Sequence, residues 1–142
     1  MRQAGRYMEE YRKIREKWTI KEIVKNPELA AEITLQPIKK LGVDAAILFS
    51  DILIIIEPMG FHLEYAQGEG PQIDNPIVDE NSINKIPLFN IEEKMAHVGQ
   101  ALAIVRKELK SDLALIGFAG APFTLASYLI EGGHSDNYLK TK

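Results

Sequence analysis

Arg2 and Arg6 bracket Gln3-Ala4-Gly5, and with Tyr7 they make a short motif whose chemistry is anion recognition. A guanidinium offers a planar fork of donors that matches carboxylate or phosphate oxygens two at a time. Gly5 lets the backbone approach a ligand closely or take a positive φ. Arg12 and Arg15 follow, so four of the five arginines lie in the first fifteen residues. A second position with chemical potential is Asp51, which comes just after the apolar run Ala45-Ala46-Ile47-Leu48-Phe49 and Ser50. In parallel α/β folds the carboxyl ends of strands carry ligands and catalysts. Read alone, Asp51 serves equally as the N-cap of a following helix, and Arg2 and Arg6 are more often ordinary surface charges.

These residues need elements to position them. Thr19-Ile20-Lys21-Glu22 reads as a capping box. Asn26-Pro27 reads as an N-cap followed by proline at the first helical position. That helix is expected to run to about Leu41, stop at Gly42 and kink at Pro37. The run 45–49 reads as a strand covered on both faces, as in parallel sheets. Residues 66–90, rich in Gly, Pro, Asn and Asp, read as a long excursion or loop, with or without a hairpin. Met95, Val98, Leu102, Val105 and Leu109 recur at steps of three and four, a helix with one apolar face. Leu113-Ala114-Leu115-Ile116-Gly117-Phe118 reads as a second strand, and Ala119-Gly120-Ala121-Pro122 turns into a third helix that ends at Gly132-Gly133. Strand, loop and helix alternate at least twice, which argues for an α/β fold with a parallel sheet.

Composition bounds the function. The 142 residues are 46% apolar and 26% charged, ordinary for a globular chain. No cysteine is present, which removes disulfides and thiolate metal sites from this stretch and fits a reducing compartment. No apolar run, Ile52–Ile56 included, approaches the roughly 20 residues that span a bilayer; cytoplasm is the expected setting. The net charge is only −3. Its mildly basic first forty residues suit a small anionic ligand and are too weakly charged for nucleic acid. His62, His97 and His134 have no metal-ligand spacing, and Gly68-Glu69-Gly70 lacks the lysine and helix of a phosphate loop.

Several motifs, in this order, resemble the uroporphyrinogen decarboxylase family nearly end to end. They are Arg2-Gln3-Ala4-Gly5-Arg6-Tyr7, Thr34-Leu35-Gln36-Pro37, Ile47-Leu48-Phe49-Ser50-Asp51-Ile52-Leu53, Leu115 to Leu125, and Tyr128 with Glu131-Gly132-Gly133. The resemblance implies a (β/α)8 barrel, of which residues 1–142 would be an incomplete N-terminal portion, one domain truncated at both ends. A closed barrel of this kind needs ~250 residues. It also implies a homodimer when complete, with no metal and no organic cofactor, that converts the four acetate side chains of uroporphyrinogen III to methyls. By the same resemblance Arg2 and Arg6 grip substrate carboxylates and Gln3, Ala4 and Gly5 supply backbone contacts. Asp51 accepts hydrogen bonds from pyrrole N–H groups and stabilises a cationic intermediate. Tyr128 contacts substrate at the rim, Arg15 matches a further arginine near the cleft, and Arg2 takes part in proton delivery.

The departures are a missing strand before Arg2, a serine and a histidine expected beyond Lys142, Ile54-Ile55-Ile56, and His134. The last two are expected to leave the chemistry unchanged. The chain alone is therefore expected to be inactive and poorly folded, because an open sheet leaves strand edges bare. Two other readings compete. One is a corrinoid-linked methyltransferase of the same fold, which would carry a zinc site late in its chain; the other is a non-catalytic truncated product.

Overall fold

A computed structural model of the protein describes residues 7–66 and 70–142. Its elements in chain order are α1 (Glu9–Arg15), α2 (Ile20–Lys25), α3 (Pro27–Leu41), β1 (Ala45–Ile47), β2 (Leu63–Ala66), β3 (Gly70–Ile73), α4 (Glu80–Asn84), α5 (Ile91–Lys94), α6 (Ala96–Glu108), β4 (Ala114–Ile116) and α7 (Pro122–Glu131). They fall into two compact units. One contains residues 7–51 and Met95–Phe118; the other contains Ile52–Lys94 and Ala119–Lys142.

In the first unit the local signals act as expected. Glu22 N–H donates to Thr19 Oγ1 at 3.2 Å and Thr19 N–H donates to Glu22 Oε2 at 2.7 Å, closing the capping box. Asn26 ends α2 and starts α3, its Oδ1 accepting from Leu29 N–H at 3.0 Å. α3 continues through Pro37 and closes on Gly42 at φ +62°, where the absence of a Cβ removes the left-handed penalty.

β1 and β4 pair in parallel, Ala45 with Ala114 and Ile47 with Ile116. One further bond, Leu48 N–H to the Ile116 carbonyl at 3.1 Å, ends the ladder. Phe49 N–H turns away and donates to Thr34 Oγ1 of α3 at 2.8 Å. The strand expected to reach residue 49 thus stops at 47, because a helix side chain takes the next donor.

α3 and α6 cover one face of this ribbon. Ala30, Ala31 and Leu35 meet Ala46, Leu48, Ala101, Val105 and Leu109 in a single apolar cluster. The opposite face is open, with Ala114 exposed and Ile116 45% exposed. Coverage of both faces was the expectation; the helices lie on one side only, so β4 alternates rather than burying every residue. Ala101 completes the α6 stripe that Val98, Leu102, Val105 and Leu109 announce. The turn from α6 into β4 is held by Arg106, whose guanidinium donates to the carbonyls of Leu113 (3.0 Å), Leu109 (3.0 Å) and Lys110 (2.6 Å).

The second unit is built on an antiparallel hairpin, β2 with β3, registered Leu63 to Ile73 and Ala66 to Gly70. The hairpin therefore begins three residues before the segment that reads as loop, at a stretch whose alternation of Leu63 and Tyr65 with polar residues is short. Its apolar face packs Leu63 and Ile73 with Leu53, Ile56, Phe61 and Leu129. Asn75 pins the base of the hairpin: Oδ1 accepts from His62 N–H at 2.7 Å and Nδ2 donates to the Gly60 carbonyl at 2.9 Å. α7 ends at Gly132, φ +82°, whose carbonyl accepts from Ile73 N–H at 2.9 Å. A Cβ on Gly133 would stand 3.0 Å from the Pro71 carbonyl. The glycine pair thus lets α7 turn and lie against the hairpin.

Past α7, Lys142 N–H donates to the Tyr138 carbonyl at 3.1 Å and closes one turn. Glu131 Oε1 accepts from Lys140 N–H (2.9 Å), Thr141 N–H (2.9 Å) and the Thr141 hydroxyl (2.7 Å), drawing this turn onto the end of α7.

Because one guanidinium serves three carbonyls, Arg106→Ala should destabilise the first unit by about 1–2 kcal/mol, a charged-bond value reduced for solvent exposure. Arg106→Lys should recover less than half, since an ammonium cannot span the same fork. A denaturant titration in which Lys matches Arg would contradict the clamp.

Candidate functional site

Asp51 stands three residues beyond the last bond of the β1–β4 ladder, at the carboxyl end of β1. It is half-buried. The 3-10 turn that follows, Ile54–Ile56, has Leu53 at its N-cap with no side-chain cap bond, so the capping position is not occupied by Asp51. What fixes the approach to Asp51 is Thr34, fully buried at 0% exposure. Its hydroxyl donates to the Ala30 carbonyl at 2.7 Å and accepts from Phe49 N–H at 2.8 Å. The Phe49 ring also meets Tyr11 of α1, centroids 5.9 Å apart and planes tilted by 57°. The chain from Phe49 to Asp51 is therefore held from α3 and from α1.

Thr34 lies in one of the motifs noted above, but nothing in the motif marks its task. The available signal is a hydroxyl among Ala, Ile and Leu on a buried helix face, which must find partners for both its functions.

Arg15 is committed locally: its Nη1 donates to the Trp18 carbonyl at 2.7 Å just past the end of α1. At the other end of α1, Glu9 and Glu10 are also paired, with Lys13 at 2.8 Å and with Lys40 at 2.7 Å. Arg2, Gln3, Ala4, Gly5 and Arg6 lie outside the described residues.

Tyr128 belongs to the second unit. It is half-buried, its ring packed against the hairpin core and its edge lining a pocket of about 190 Å³. Thr124, Ser127, Tyr128 and Glu131 contribute from one face of α7, with His134 and Tyr138 from the segment after it. Spacings of three and four along α7 bring these hydroxyls to one side, a pattern legible in the sequence. Glu131 titrates below its ordinary value of 4.5, chiefly because the Thr141 hydroxyl bonds its charged form. His134 Nε2 lies 3.1 Å from Asp136 Oδ1.

Among the described residues no helix is long and apolar enough to cross a membrane. The sequence model of the uroporphyrinogen decarboxylase (URO-D) family matches residues 1–142. A uroporphyrinogen decarboxylase from Sorangium cellulosum is 57% identical over all 142 residues, which cover 40% of that relative. Those from Carboxydothermus hydrogenoformans and Thermus thermophilus are 54% and 51% identical, each with 41% of its length covered. The chain thus spans about two fifths of the curated relatives it matches. Among solved structures, a methyltransferase from Methanosarcina mazei superposes with a TM-score of 0.62 at 23% identity, over 76% of this chain and 33% of the other. That likeness concerns the fold alone. With the family match it identifies the two helix-backed parallel strands as part of a (β/α)8 barrel.

Two outcomes are expected. Thr34→Val should cost about 1–3 kcal/mol by leaving the Phe49 N–H without its acceptor, whereas Thr34→Ser should retain the bond. Hydrogen exchange at the Phe49 amide is the readout, and unchanged protection in the valine variant would contradict it. For Glu131 the folded pKa is the depressed one. Its clasp on residues 140–141 is therefore fully present above the unfolded value and is lost as pH falls through the folded one. Protection of the Thr141 amide should hold from pH 7 to pH 5 and be lost only as pH falls below the ordinary carboxylate value. A flat profile down to pH 3 would contradict the clasp.

Proposed function

This chain belongs to the uroporphyrinogen decarboxylase family, and we propose that it carries the N-terminal, substrate-gripping part of that family's barrel. The substrate class is a tetrapyrrole with carboxylate side chains, uroporphyrinogen III. In this reading residues 1–142 form part of a single barrel domain, and the open face of β1 and β4 is turned to the barrel interior. The observation that carries the reading is Asp51, a carboxylate just past the end of a parallel strand in the position where such folds keep their chemistry.

The reaction needs an electron sink for carboxylate loss. An electron-rich pyrrole supplies it: protonation at a ring carbon gives a cation, and the acetate's bond to its carboxylate breaks with the electron pair flowing into the ring. Carbon dioxide leaves, a second proton adds to the exocyclic carbon to form the methyl group, and the ring carbon gives up the first proton to restore the pyrrole. The net change for each acetate is one proton taken up and one carbon dioxide released, with no redox partner. Asp51 accepts hydrogen bonds from the pyrrole N–H groups and stabilises the cation as it forms. Arg2 and Arg6 hold the peripheral carboxylates, with Gln3, Ala4 and Gly5 offering backbone donors. Arg2 takes part in proton delivery, and Tyr128 contacts substrate at the rim. Arg15, bound to the Trp18 carbonyl, serves in this reading as a support of α1 near the cleft. No metal or organic cofactor enters the scheme, because the substrate ring is its own electron sink.

The 142 residues by themselves lack the rest of the barrel wall, and no turnover is expected of them alone. A homodimeric state rests on the resemblance. A cytoplasmic setting is supported by the same resemblance and by a cysteine-free composition that suits a reducing compartment.

The test is a chimaera in which these residues replace the matching 142 of the Sorangium cellulosum relative. It should release four equivalents of carbon dioxide from uroporphyrinogen III. Asp51→Asn should weaken binding and lower turnover by about 10²–10³, since the neutral amide also presents a donor to the pyrrole N–H groups. Full activity in the Asn variant would sink the role of Asp51. A folded chimaera that releases no carbon dioxide would overturn the reading itself.

A further inference from the structure

The pocket beside Tyr128 is lined mainly by uncharged hydroxyls. Thr124, Ser127 and Tyr128 line it from α7, Ser135 and Tyr138 from the segment that follows. Ser127 gives its proton to the Thr124 carbonyl at 2.8 Å. Ser135 Oγ accepts from Tyr138 N–H at 3.0 Å and keeps its own O–H to give. Among the described residues, the hydroxyls of Thr124, Tyr128 and Tyr138 enter no hydrogen bond. The acidic groups at the pocket are engaged: Glu131 Oε1 takes three donors from Lys140 and Thr141, and Asp136 Oδ1 lies 3.1 Å from His134 Nε2.

The chain after α7 is shaped to complete this wall. Tyr138 has φ +51°, the one positive value outside glycine among the described residues, in a region that aromatic residues rarely adopt. Its ring meets that of Phe123, centroids 6.0 Å apart, at the start of α7. Ser135 before it and the Glu131 clasp after it fix the turn that sets Tyr138 on the pocket.

Donor hydroxyls gathered around one small space suit a carboxylate, whose oxygens accept several bonds at once. The volume of about 190 Å³ is below the roughly 300–1,000 Å³ of a site that encloses a whole ligand. It has room for one arm of a macrocycle and not for the ring. Hydrogen bonds stabilise a carboxylate while it is charged. An acetate losing carbon dioxide gives up that charge, so such bonds would raise its barrier. The pocket therefore suits an arm whose carboxylate survives the reaction.

We propose that this pocket is a side-chain subsite: it holds one of the propionate arms of uroporphyrinogen III, which the reaction leaves intact, with Thr124, Ser135 and Tyr138 donating beside Tyr128. The inference rests on the proposal above that the chain binds this tetrapyrrole and that Tyr128 contacts it.

The chimaera described above provides the test. Tyr138→Phe and Thr124→Val each remove one donor and keep the shape. Each should raise KM for uroporphyrinogen III about tenfold, as a lost bond to a charged group does, with kcat within twofold. The inhibition constant of coproporphyrinogen III, the product, should rise by the same factor, because the product keeps the arm. Tyr128→Phe is the control for the substrate contact and should also raise KM. A normal KM or a normal product constant in either pocket variant, beside an impaired Tyr128→Phe, overturns the subsite and leaves the substrate reading intact. A loss of kcat as large as the rise in KM also overturns it, since the arm held would then be a reacting one. A normal KM in Tyr128→Phe overturns the Tyr128 contact and the inference with it. If either pocket variant does not fold, a crystal structure of the unsubstituted chimaera with coproporphyrinogen III decides. A carboxylate oxygen within about 3.2 Å of the Tyr138 or Thr124 hydroxyl supports the proposal, and any other placement of the arms defeats it.

Discussion

A single buried hydroxyl governs the ground on which the proposed chemistry stands. Thr34 Oγ1 is both donor and acceptor, bonded back to its own helix and forward to the amide of Phe49. The forward bond ends the parallel ladder. Without it Phe49 would be free to continue along β4 as Leu48 does, and Ser50 and Asp51 would be drawn toward the sheet. With it, the strand gives way to an irregular segment that carries Ser50 and Asp51. The same helix that covers the ribbon therefore also sets where the ribbon stops. Packing and function meet in α3, whose buried face carries the apolar cluster and Thr34, and whose Lys40 reaches Glu10 of α1.

The second unit depends on a different constraint, the close approach of backbones. Gly132 turns the end of α7 and Gly133 allows a contact with the hairpin that a Cβ would meet only by pushing the Pro71 carbonyl back. Bonds from Ile73 and Ile77 to the Gly132 and Leu129 carbonyls, at 2.9 and 2.8 Å, then tie the hairpin and its exit to α7. The hydroxyl-bearing face of α7 is left to line the pocket at Tyr128. A motif quoted for its resemblance, Glu131-Gly132-Gly133, turns out to have a plain structural basis in all three residues.

How much of this was legible in the sequence follows the range of each interaction. Thr19, Glu22, Asn26, Pro27 and Gly42 act over three or four residues, and their caps are where local chemistry puts them. The α6 stripe and the end of α7 were legible for the same reason. What escaped depends on distant partners. The strand at 45–49 is shortened by a threonine fifteen residues away. Its second face is open because coverage is decided by where helices pack, and an apolar run does not encode that. The hairpin starts at Leu63 rather than inside the glycine-rich stretch, since register is set by Leu63 and Ile73 meeting a common core. Of the site, the position of Asp51 past a strand end was readable; the support from Thr34 was not, because it depends on which face of α3 meets β1.

In the reading proposed above, Asp51 at the end of β1 faces the pyrrole nitrogens of a bound tetrapyrrole. The most direct measurement is a crystal structure of the chimaera with coproporphyrinogen III, the product, bound. The account predicts an Asp51 carboxylate oxygen within about 3.2 Å of two or more pyrrole nitrogens. A product bound in the cleft with Asp51 turned away, and another group at those nitrogens, would contradict it.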